Sequence, residues 1–212
     1  MPSALEKARQ DPNSMKARIL AAARRIFGEY GYSDTTTRQI AKEVGIDIST
    51  LYYHWGEKQD LYEAVLQDVS EEIQSRLNQV EKTVSGKSLK ERLEVSIDMM
   101  CDYLFSHPEV SNLILFGYFS NTRHGVTMDI QIQRYISNIA VAMELAADKK
   151  TVTVENKARI LAVWNTVLNF ISGEDFFRPM LKTHHDNYIK VVKETLKFIL
   201  VPAFTLDKNK KI

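Results

Sequence analysis

The sequence predicts an all-α fold of about nine helices. Apolar residues recur at three- and four-residue steps along most of the chain, which is the spacing of one helix face. Only 8 glycines and 5 prolines interrupt the 212 residues, so long helices are favoured over many short strands. No set of segments shows the sustained alternation that strands require. The hydrophobic share of 44% and the charged share of 26% are typical of a globular protein.

The first expected helix follows a polar tail over about residues 1–13. The run Asp11-Pro12-Asn13-Ser14 supplies N-cap candidates and a proline suited to a first turn. One apolar stripe then follows at Ile19, Ala22, Ala23, Ile26, Phe27 and Tyr30. Gly31 is expected to end this helix.

A helix-turn-helix is predicted at about residues 36–55. Thr36 and Gln39, three residues apart, fit a capping box and mark a helix start. Gly45 allows the sharp turn that follows, and a second short helix is expected over about residues 48–54. Two helices joined by a glycine-containing turn within about 20 residues are typical of this motif.

The second helix of such a motif can lie in the major groove of DNA. With Leu51 directed inward, it exposes Ser49, Thr50, Tyr52, Tyr53 and His54. Hydroxyl and imidazole groups of this kind can contact base edges or phosphates. Arg38 lies in the first turn of the preceding helix and can reach a base or a phosphate. Lys58 begins the next helix, where free amides and the helix dipole favour an anion.

The charge of the chain does not by itself indicate nucleic acid. Against 28 Lys and Arg stand 27 Asp and Glu, a net charge of +1, well below the surplus typical of a DNA-binding domain. Residues 14–58 hold seven basic and five acidic residues. Two hypotheses therefore stay open: a DNA-binding regulator, or a helical binding protein of the same fold that has lost DNA recognition and acts through a protein partner.

Six further helices are predicted in the rest of the chain. They cover about residues 58–80, 89–106, 110–119, 128–147, 155–172 and 186–200. The expected breaks lie at Gly86, at His107-Pro108, in a turn over residues 121–125, at Gly173 and in a loop containing Pro179. The last residues, from Thr205 onward, are expected to fray.

The last two long helices are the expected dimer elements. The final helix carries a broad apolar arc at Tyr188, Val191, Val192, Thr195, Leu196 and Ile199. This arc is wider than one core-facing stripe needs, although ordinary core packing is the alternative. A two-fold dimer would double the contact of a single helix-turn-helix with DNA.

The middle helices are rich in large apolar side chains, and apolar clefts between helices are common ligand sites. The candidate ligand-binding residues are Met100, Tyr103, Phe116, Phe119, Trp164, Asn165 and Asn169. A buried amide must be hydrogen-bonded, so a ligand could supply a partner for the two asparagines. Plain core packing and surface asparagines are the alternatives. The expected ligand is an apolar or aromatic inducer.

Metal binding and catalysis find little support. Glu94, Asp98 and Asp102 share one helix face and, with His107 nearby, could hold a cation, but a solvated polar stripe explains them as well. Cys101 has no neighbouring base and is expected to be a small buried residue. No phosphate-binding glycine loop or nucleophile elbow is present in the sequence. We therefore expect no catalytic residues, no metal and no cofactor, and the protein is not expected to be an enzyme.

The compartment is expected to be the cytoplasm. A single cysteine cannot form an intrachain disulfide, which fits a reducing environment. No apolar run approaches the roughly 20 residues that span a bilayer, and the first residues lack an apolar secretory core. No membrane partner is expected.

The N-terminal part resembles the TetR family of transcriptional regulators over residues 19–66. The matching elements are I-L-A-A-A-x-x-I-F-x-x-Y-G-Y, T-T-T-R-Q-I-A-K-E-V-G-I and S-T-L-Y-Y-H-W-G-E-K-x-x-L. The last block is the most specific. Trp55 stands where the family usually has phenylalanine, and Glu57 stands where a short capping residue is common, so the cap before Lys58 is expected to be weaker.

The resemblance implies roles for the candidate residues. Thr36, Thr37 and Arg38 would open the bracing helix at the DNA. Ile48, Ser49, Thr50 and Tyr52 would face base edges or thymine methyls. Tyr53, His54 and Lys58 would hold the DNA backbone.

The resemblance also implies two domains and three partners. Residues 13–73 would form the helix-turn-helix DNA-binding domain, and residues 74–204 the ligand-binding and dimerisation domain. The partners would be a palindromic double-stranded DNA operator, a small-molecule inducer and a second copy of the chain, bound through the last two long helices. The expected function is a ligand-responsive repressor.

Overall fold

The computed structural model describes residues 3–119 and 135–205, and these residues form helices and no strands. The all-α prediction is confirmed. The helices in this described part are α1 (Ala4–Gln10), α2 (Met15–Asp34), α3 (Thr37–Val44), α4 (Ile48–Trp55), α5 (Lys58–Val84), α6 (Leu89–Ser106), α7 (Pro108–Phe119), α8 (described over residues 135–142), α9 (Val154–Ser172), α10 (Glu174–Met180) and α11 (His185–Thr205). The count is therefore eleven, two more than the sequence predicts.

The first additional helix, α1, replaces the expected polar tail. Ser3 and Glu6 form a capping box at its start, and Leu5 and Ala8 are buried. The guanidinium of Arg9 forms ion pairs with two carboxylates of α5. The tail prediction was wrong because these tertiary contacts, and not a long apolar stripe, stabilise a helix of only seven residues.

The second additional helix, α10, lies where a loop around Pro179 was expected. Gly173 ends α9, and its carbonyl accepts the amide N–H of Phe177 at 2.8 Å in the first turn of α10. Pro179 lies near the end of this seven-residue helix. The phenyl ring of Phe177 packs against Phe170 of α9 at 6.0 Å between ring centroids.

The chain divides into two compact units. The described part of the N-terminal unit comprises residues 3–72 and 109–119, and that of the C-terminal unit comprises residues 73–108 and 135–205. Helix α5 contributes residues to both. The fully buried side chains of the N-terminal unit include Ile19, Phe27, Ile40, Leu51 and Leu61. Those of the C-terminal unit include Leu104, Leu168, Tyr188 and Leu196.

Most predicted helix ends are found within a residue or two. The interruption at Gly31 is present, since this residue has φ 74° and ψ 176° inside α2. The helix expected over residues 128–147 ends earlier, at residue 142. Glu144 adopts φ 57°, and the Leu145 amide donates to the Ala140 carbonyl at 2.9 Å, which closes the helix. Residues 128–134, the expected turn over 121–125 and the terminal residues 206–212 lie outside the described part.

Candidate DNA-binding site

Helix α3 begins and ends with the local signals that the sequence predicts. The Gln39 amide donates to Thr36 Oγ1 at 3.3 Å, and the Thr36 amide donates to Gln39 Oε1 at 2.6 Å. Gly45 has φ 77° and ψ 41°, in the left-handed region that favours glycine. Its amide donates to the carbonyl of Ala41 at 3.0 Å, so the chain leaves α3 in a tight turn.

Helix α4 has one anchored face and one free face. Leu51 and Trp55 are buried, at 0% and 5% exposure. Tyr52 and Tyr53 are 46% and 85% exposed, and Ser49 is exposed as well. This division leaves phenol and hydroxyl groups available to an external partner while two apolar side chains hold the helix.

The start of α3 lies beside this free face. The Tyr52 hydroxyl is 3.3 Å from Thr37 Oγ1, which brings the two helices of the motif into side-chain contact. Thr36 and Arg38 are exposed, Thr37 is half-buried, and Arg38 makes no ion pair with any residue that the structure describes. Ile48 and Thr50 are half-buried on α4. The structure thus brings the predicted residues of α3 and α4 together in one unit.

Two other cations of this region are already paired. The Arg24 guanidinium bonds Glu72 at 2.5 Å and Glu109 at 3.0 Å. Arg25 pairs with Glu43 of α3. The small basic surplus of residues 14–58 is therefore partly neutralised within the protein itself.

Lys58 has a structural partner in the protein. Its Nζ donates to the Thr35 carbonyl at 2.7 Å and lies 4.2 Å from the centroid of the Tyr32 ring. An Asp60 carboxylate oxygen accepts the Glu57 amide at 2.8 Å, so an anion already occupies the first turn of α5. The ammonium group keeps two further N–H groups that could meet a phosphate.

His54 lies at the C-terminal end of α4. Burial, and then the positive charge of Lys16, lower the pKa of the His54 imidazole below its ordinary value. A neutral imidazole still carries one N–H donor, so His54 can contact a phosphate without a formal charge. The Tyr53 ring lies 5.2 Å from the His54 ring, centroid to centroid.

Sequence reasoning assigned no role to Lys16, Arg18 or the indole N–H of Trp55. Lys16 donates a hydrogen bond to the last turn of α4, and Arg18 donates one to the last residue of α3. The Trp55 indole N–H donates from the end of α4 to the Lys16 carbonyl of α2. The replacement of phenylalanine by tryptophan was the one available signal, because only tryptophan carries an N–H.

The candidate ligand-binding residues are distributed over both units. Met100 and Tyr103 are buried in the C-terminal unit, where Trp164 and Asn165 are half-buried and Asn169 is exposed. Phe116 and Phe119 belong to the N-terminal unit and are 38% and 80% exposed.

Each of the two asparagine side chains already donates one N–H to a backbone carbonyl of α9. Asn165 Nδ2 donates to the Leu161 carbonyl at 2.9 Å, and Asn169 Nδ2 donates to the Asn165 carbonyl at 2.8 Å. Each bond runs back one turn along α9, a common arrangement for polar side chains within helices. Neither asparagine is a buried amide without a partner, so neither side chain by itself indicates a bound ligand.

Two of the three carboxylates on this face of α6, Asp98 and Asp102, are paired with two lysines of α11. Lys193 Nζ bonds Asp102 and lies 3.9 Å from Asp98, and Lys197 Nζ bonds Asp98 at 2.9 Å. No metal-binding cluster of three or more His, Cys, Asp or Glu residues is found among the described residues. The protein's own ammonium groups thus serve as the cations.

Cys101 is fully buried beside this stripe. Burial raises the pKa of its thiol to about 12, so the thiolate that nucleophilic chemistry needs is scarce at neutral pH.

Among the described helices, none is long and apolar enough to cross a membrane.

The fold and the exposed α4 define an all-helical protein of the helix-turn-helix class. Residues 19–65 match the model of the bacterial regulatory proteins of the tetR family. Over these residues, about a fifth of its length, the chain resembles the bacterial regulatory proteins of the tetR family.

Comparison with known proteins and solved structures gives further similarities. An HTH-type transcriptional regulator of Staphylococcus aureus is 29% identical over 109 residues, which is 51% of this chain and 58% of that protein. The match thus spans less than two thirds of that relative. The structure of AibR in complex with isovaleryl coenzyme A and operator DNA has a TM-score of 0.66 at 17% identity, over 87% of this chain and 96% of that one. FadR from Bacillus subtilis in complex with stearoyl-CoA has a TM-score of 0.62 at 16% identity, with the same coverage. At these identities the structures show a shared fold.

Proposed function

We propose that the protein is a transcriptional repressor that binds a double-stranded DNA operator and is released by a small-molecule inducer. A homodimer would bind the two half-sites of a palindromic operator. The observation that carries the proposal is the free face of α4, with Ser49, Tyr52 and Tyr53 exposed on a helix anchored by Leu51 and Trp55. A short anchored helix with a free polar face fits the major groove.

The residue roles follow from their positions. Ile48, Ser49, Thr50 and Tyr52 would contact base edges, and Tyr53, His54 and Lys58 would contact the backbone. Thr36, Thr37 and Arg38 would approach the DNA from the start of α3. Because the chain carries a net charge of only +1, binding to unrelated DNA is expected to be weak, and affinity should depend on the groove contacts.

The decisive experiment selects duplexes from random DNA with the full chain. The dissociation constant of the enriched duplex is then measured over a salt series, beside a scrambled duplex of equal length. We expect an enriched palindrome, with affinity that falls linearly on a logarithmic scale as salt rises. If no duplex is enriched, the protein-partner hypothesis is favoured instead.

The homodimer is proposed to form through α9 and α11. Helix α11 buries Tyr188, Val192 and Leu196, yet Val191 and Phe198, on another side of the helix, remain 39% and 81% exposed. A helix that is apolar on both sides of its axis has a second surface to cover, and the family resemblance implies that another copy covers it.

Sedimentation velocity tests the dimer. Phe198→Glu should shift the protein from dimer to monomer, because a carboxylate would be buried without a partner. Phe176→Glu is the matched control, since Phe176 is 68% exposed on α10, outside the two proposed helices. Equal dimer content in all three proteins would contradict this interface.

The inducer is proposed to be a largely apolar molecule bound in the C-terminal unit, near Met100, Tyr103 and Trp164. Asn165 and Asn169, which lie on the same helix as Trp164, complete the set proposed for this unit. Acyl-CoA thioesters are the first ligands to test, because AibR and FadR were solved with isovaleryl coenzyme A and stearoyl-CoA. Calorimetry with acyl-CoA thioesters of increasing chain length, beside free coenzyme A, should show affinity that rises with apolar area.

We propose that inducer binding causes release from DNA through a movement of α5. This helix begins at Lys58, directly after the helix-turn-helix, and continues into the C-terminal unit. Inducer binding would tilt α5 and change the spacing of the two α4 helices of the dimer. A ligand shifts such an equilibrium only by its differential affinity for the two states. Spin labels on α4 measure the spacing, and unchanged spacing together with unchanged DNA affinity would contradict the mechanism.

A further inference from the structure

The start of α2 contacts the C-terminal ends of both helices of the motif. Lys16 Nζ donates to the His54 carbonyl in the last turn of α4. The Arg18 guanidinium donates to the carbonyl of Val44, the last residue of α3, at 2.9 Å. The last carbonyls of a helix have no partner within the helix. Cations placed there satisfy the carbonyls and interact favourably with the helix dipole.

Trp55 makes the reciprocal contact from α4 to α2. Its indole Nε1 donates to the Lys16 carbonyl at 3.1 Å, and Lys16 Nζ lies 5.7 Å from its ring centroid. The Trp55 side chain is 5% exposed. Phenylalanine would fill much of this space but has no N–H to donate.

Helix α4 needs such support because its own stabilisation is small. It has eight residues, and its N-cap residue Asp47 makes no side-chain capping bond. Isolated helices of this length are unstable in water, so tertiary contacts must fix the position of α4. The bonds to α2 lie at the end opposite the missing cap.

We propose that Lys16, Arg18 and Trp55 form a clip, called here the α2 clip, that holds the C-terminal ends of α3 and α4 in the position required for DNA binding. Its members are positioning residues and do not contact DNA. The inference rests on the proposed function and deepens it. Lys16 and Arg18 precede residues 19–65, so the family match does not assign them a role.

The test compares Trp55→Phe and Lys16→Met with Lys7→Met. Lys7 is exposed on α1 and close enough to lower the pKa of Lys16, after the larger effect of burial. It makes none of the clip bonds, so it controls for the loss of one positive charge. On the duplex selected with the wild-type chain, we expect the two clip variants to bind about tenfold more weakly. This is the order expected for one lost hydrogen bond, which is neutral in Trp55→Phe and charged in Lys16→Met. Lys7→Met should bind within about twofold of wild type, the change expected for an exposed charge.

A salt series separates positioning from phosphate contact. Losing a phosphate contact lowers the slope of log affinity against log salt by about 1 per contact. We expect Lys16→Met to keep the wild-type slope. A reduced slope would show that Lys16 contacts the DNA, and unchanged affinity in Trp55→Phe would show that its N–H does not position α4. Either result would overturn the α2 clip.

Hydrogen exchange without DNA gives an independent readout. The Gly56 amide, which donates to the Tyr52 carbonyl at 2.8 Å, and its α4 neighbours should exchange faster in Trp55→Phe and Lys16→Met. Amides of α6 should keep their wild-type rates in all variants. Wild-type exchange throughout α4 would overturn the clip. If the wild type binds no duplex, the proposed function fails and exchange still decides whether the clip exists.

Discussion

The helix ends of the helix-turn-helix and the helix pairing of the C-terminal unit depend on contacts over very different sequence distances. In the helix-turn-helix, a capping box between two residues three positions apart begins α3, and one left-handed glycine ends it. In the C-terminal unit, the carboxylates of α6 meet lysines some 91 residues away, and Arg92 pairs with Glu144 52 residues away. Local signals thus set where the helices of the helix-turn-helix begin and end, whereas ion pairs distant in sequence join the helices of the C-terminal unit. Substitutions in each unit can test this contrast.

Leu51→Ala has the largest expected effect. Leu51 is fully buried on the inner face of α4. Its truncation should reduce the free energy of unfolding by about 2–5 kcal/mol. Leu196→Ala is the matched variant in the C-terminal unit, where the leucine is also fully buried. Urea unfolding followed by hydrogen exchange measures both.

The contrast between the units predicts different patterns for these two variants. In Leu51→Ala, amides of α3 and α4 should lose protection most, because Leu51 lies in α4 and α4 contacts α3. In Leu196→Ala, the loss should be shared between α6 and α11, which are joined by several ion pairs. Identical exchange patterns in both variants would contradict the distinction.

Gly56→Ala is expected to be the next most damaging change. Gly56 has φ 74° and ψ −140°, a conformation that side chains rarely adopt, and a Cβ there would lie 2.5 Å from an Asp60 carboxylate oxygen. We expect a loss of about 3 kcal/mol in thermal unfolding, from strain and the clash together. Gly45→Ala is the control, because its φ of 77° is similar but no atom lies within 4 Å of the added Cβ. Its loss should be about 1–2 kcal/mol. Equal losses would show that the clash is relieved without cost.

The sequence predicted the helix bounds of the helix-turn-helix closely, whereas the helix pairing of the C-terminal unit could not be predicted, for a physical reason. Capping residues and glycines act within a few residues, so Thr36 and Gly45 could be interpreted from the sequence alone. The partners of Asp98 and Asp102 could not, because only tertiary packing brings α11 beside α6. Helix α1 was missed on the same ground, since Arg9 finds its carboxylates in α5.

Tyr52→Ala tests whether the free face of α4 reads bases. Loss of a base contact should weaken binding to the selected duplex by about 1–3 kcal/mol, with little effect on a scrambled duplex. Tyr30→Ala is matched to it, because Tyr30 is 47% exposed and Tyr52 46%, in the same unit. Fluorescence anisotropy measures both variants, and equal losses would mean that Tyr52 contacts no base.

Lys58→Ala should have a smaller effect, and a non-specific one. Its ammonium group already donates to the Thr35 carbonyl, so only its remaining N–H groups would meet a phosphate. We expect similar weakening on selected and scrambled duplexes, and a salt slope lower by about 1 per contact. Sequence-dependent weakening would instead indicate that Lys58 acts by positioning α4.

The smallest expected effect is on the titration of His54. Burial and the charge of Lys16 lower the pKa of His54 in the folded protein, so the unfolded chain binds the proton more tightly. Stability from this group is therefore present above the ordinary pKa of about 6.5 and is lost as pH falls through the lower folded pKa. In Lys16→Met the repulsive charge is gone, and the pKa of His54 should move upward toward its ordinary value. NMR titration of the imidazole measures this shift. A pKa that does not change in Lys16→Met would mean that burial alone perturbs His54, and that the ammonium group spends little time at the end of α4.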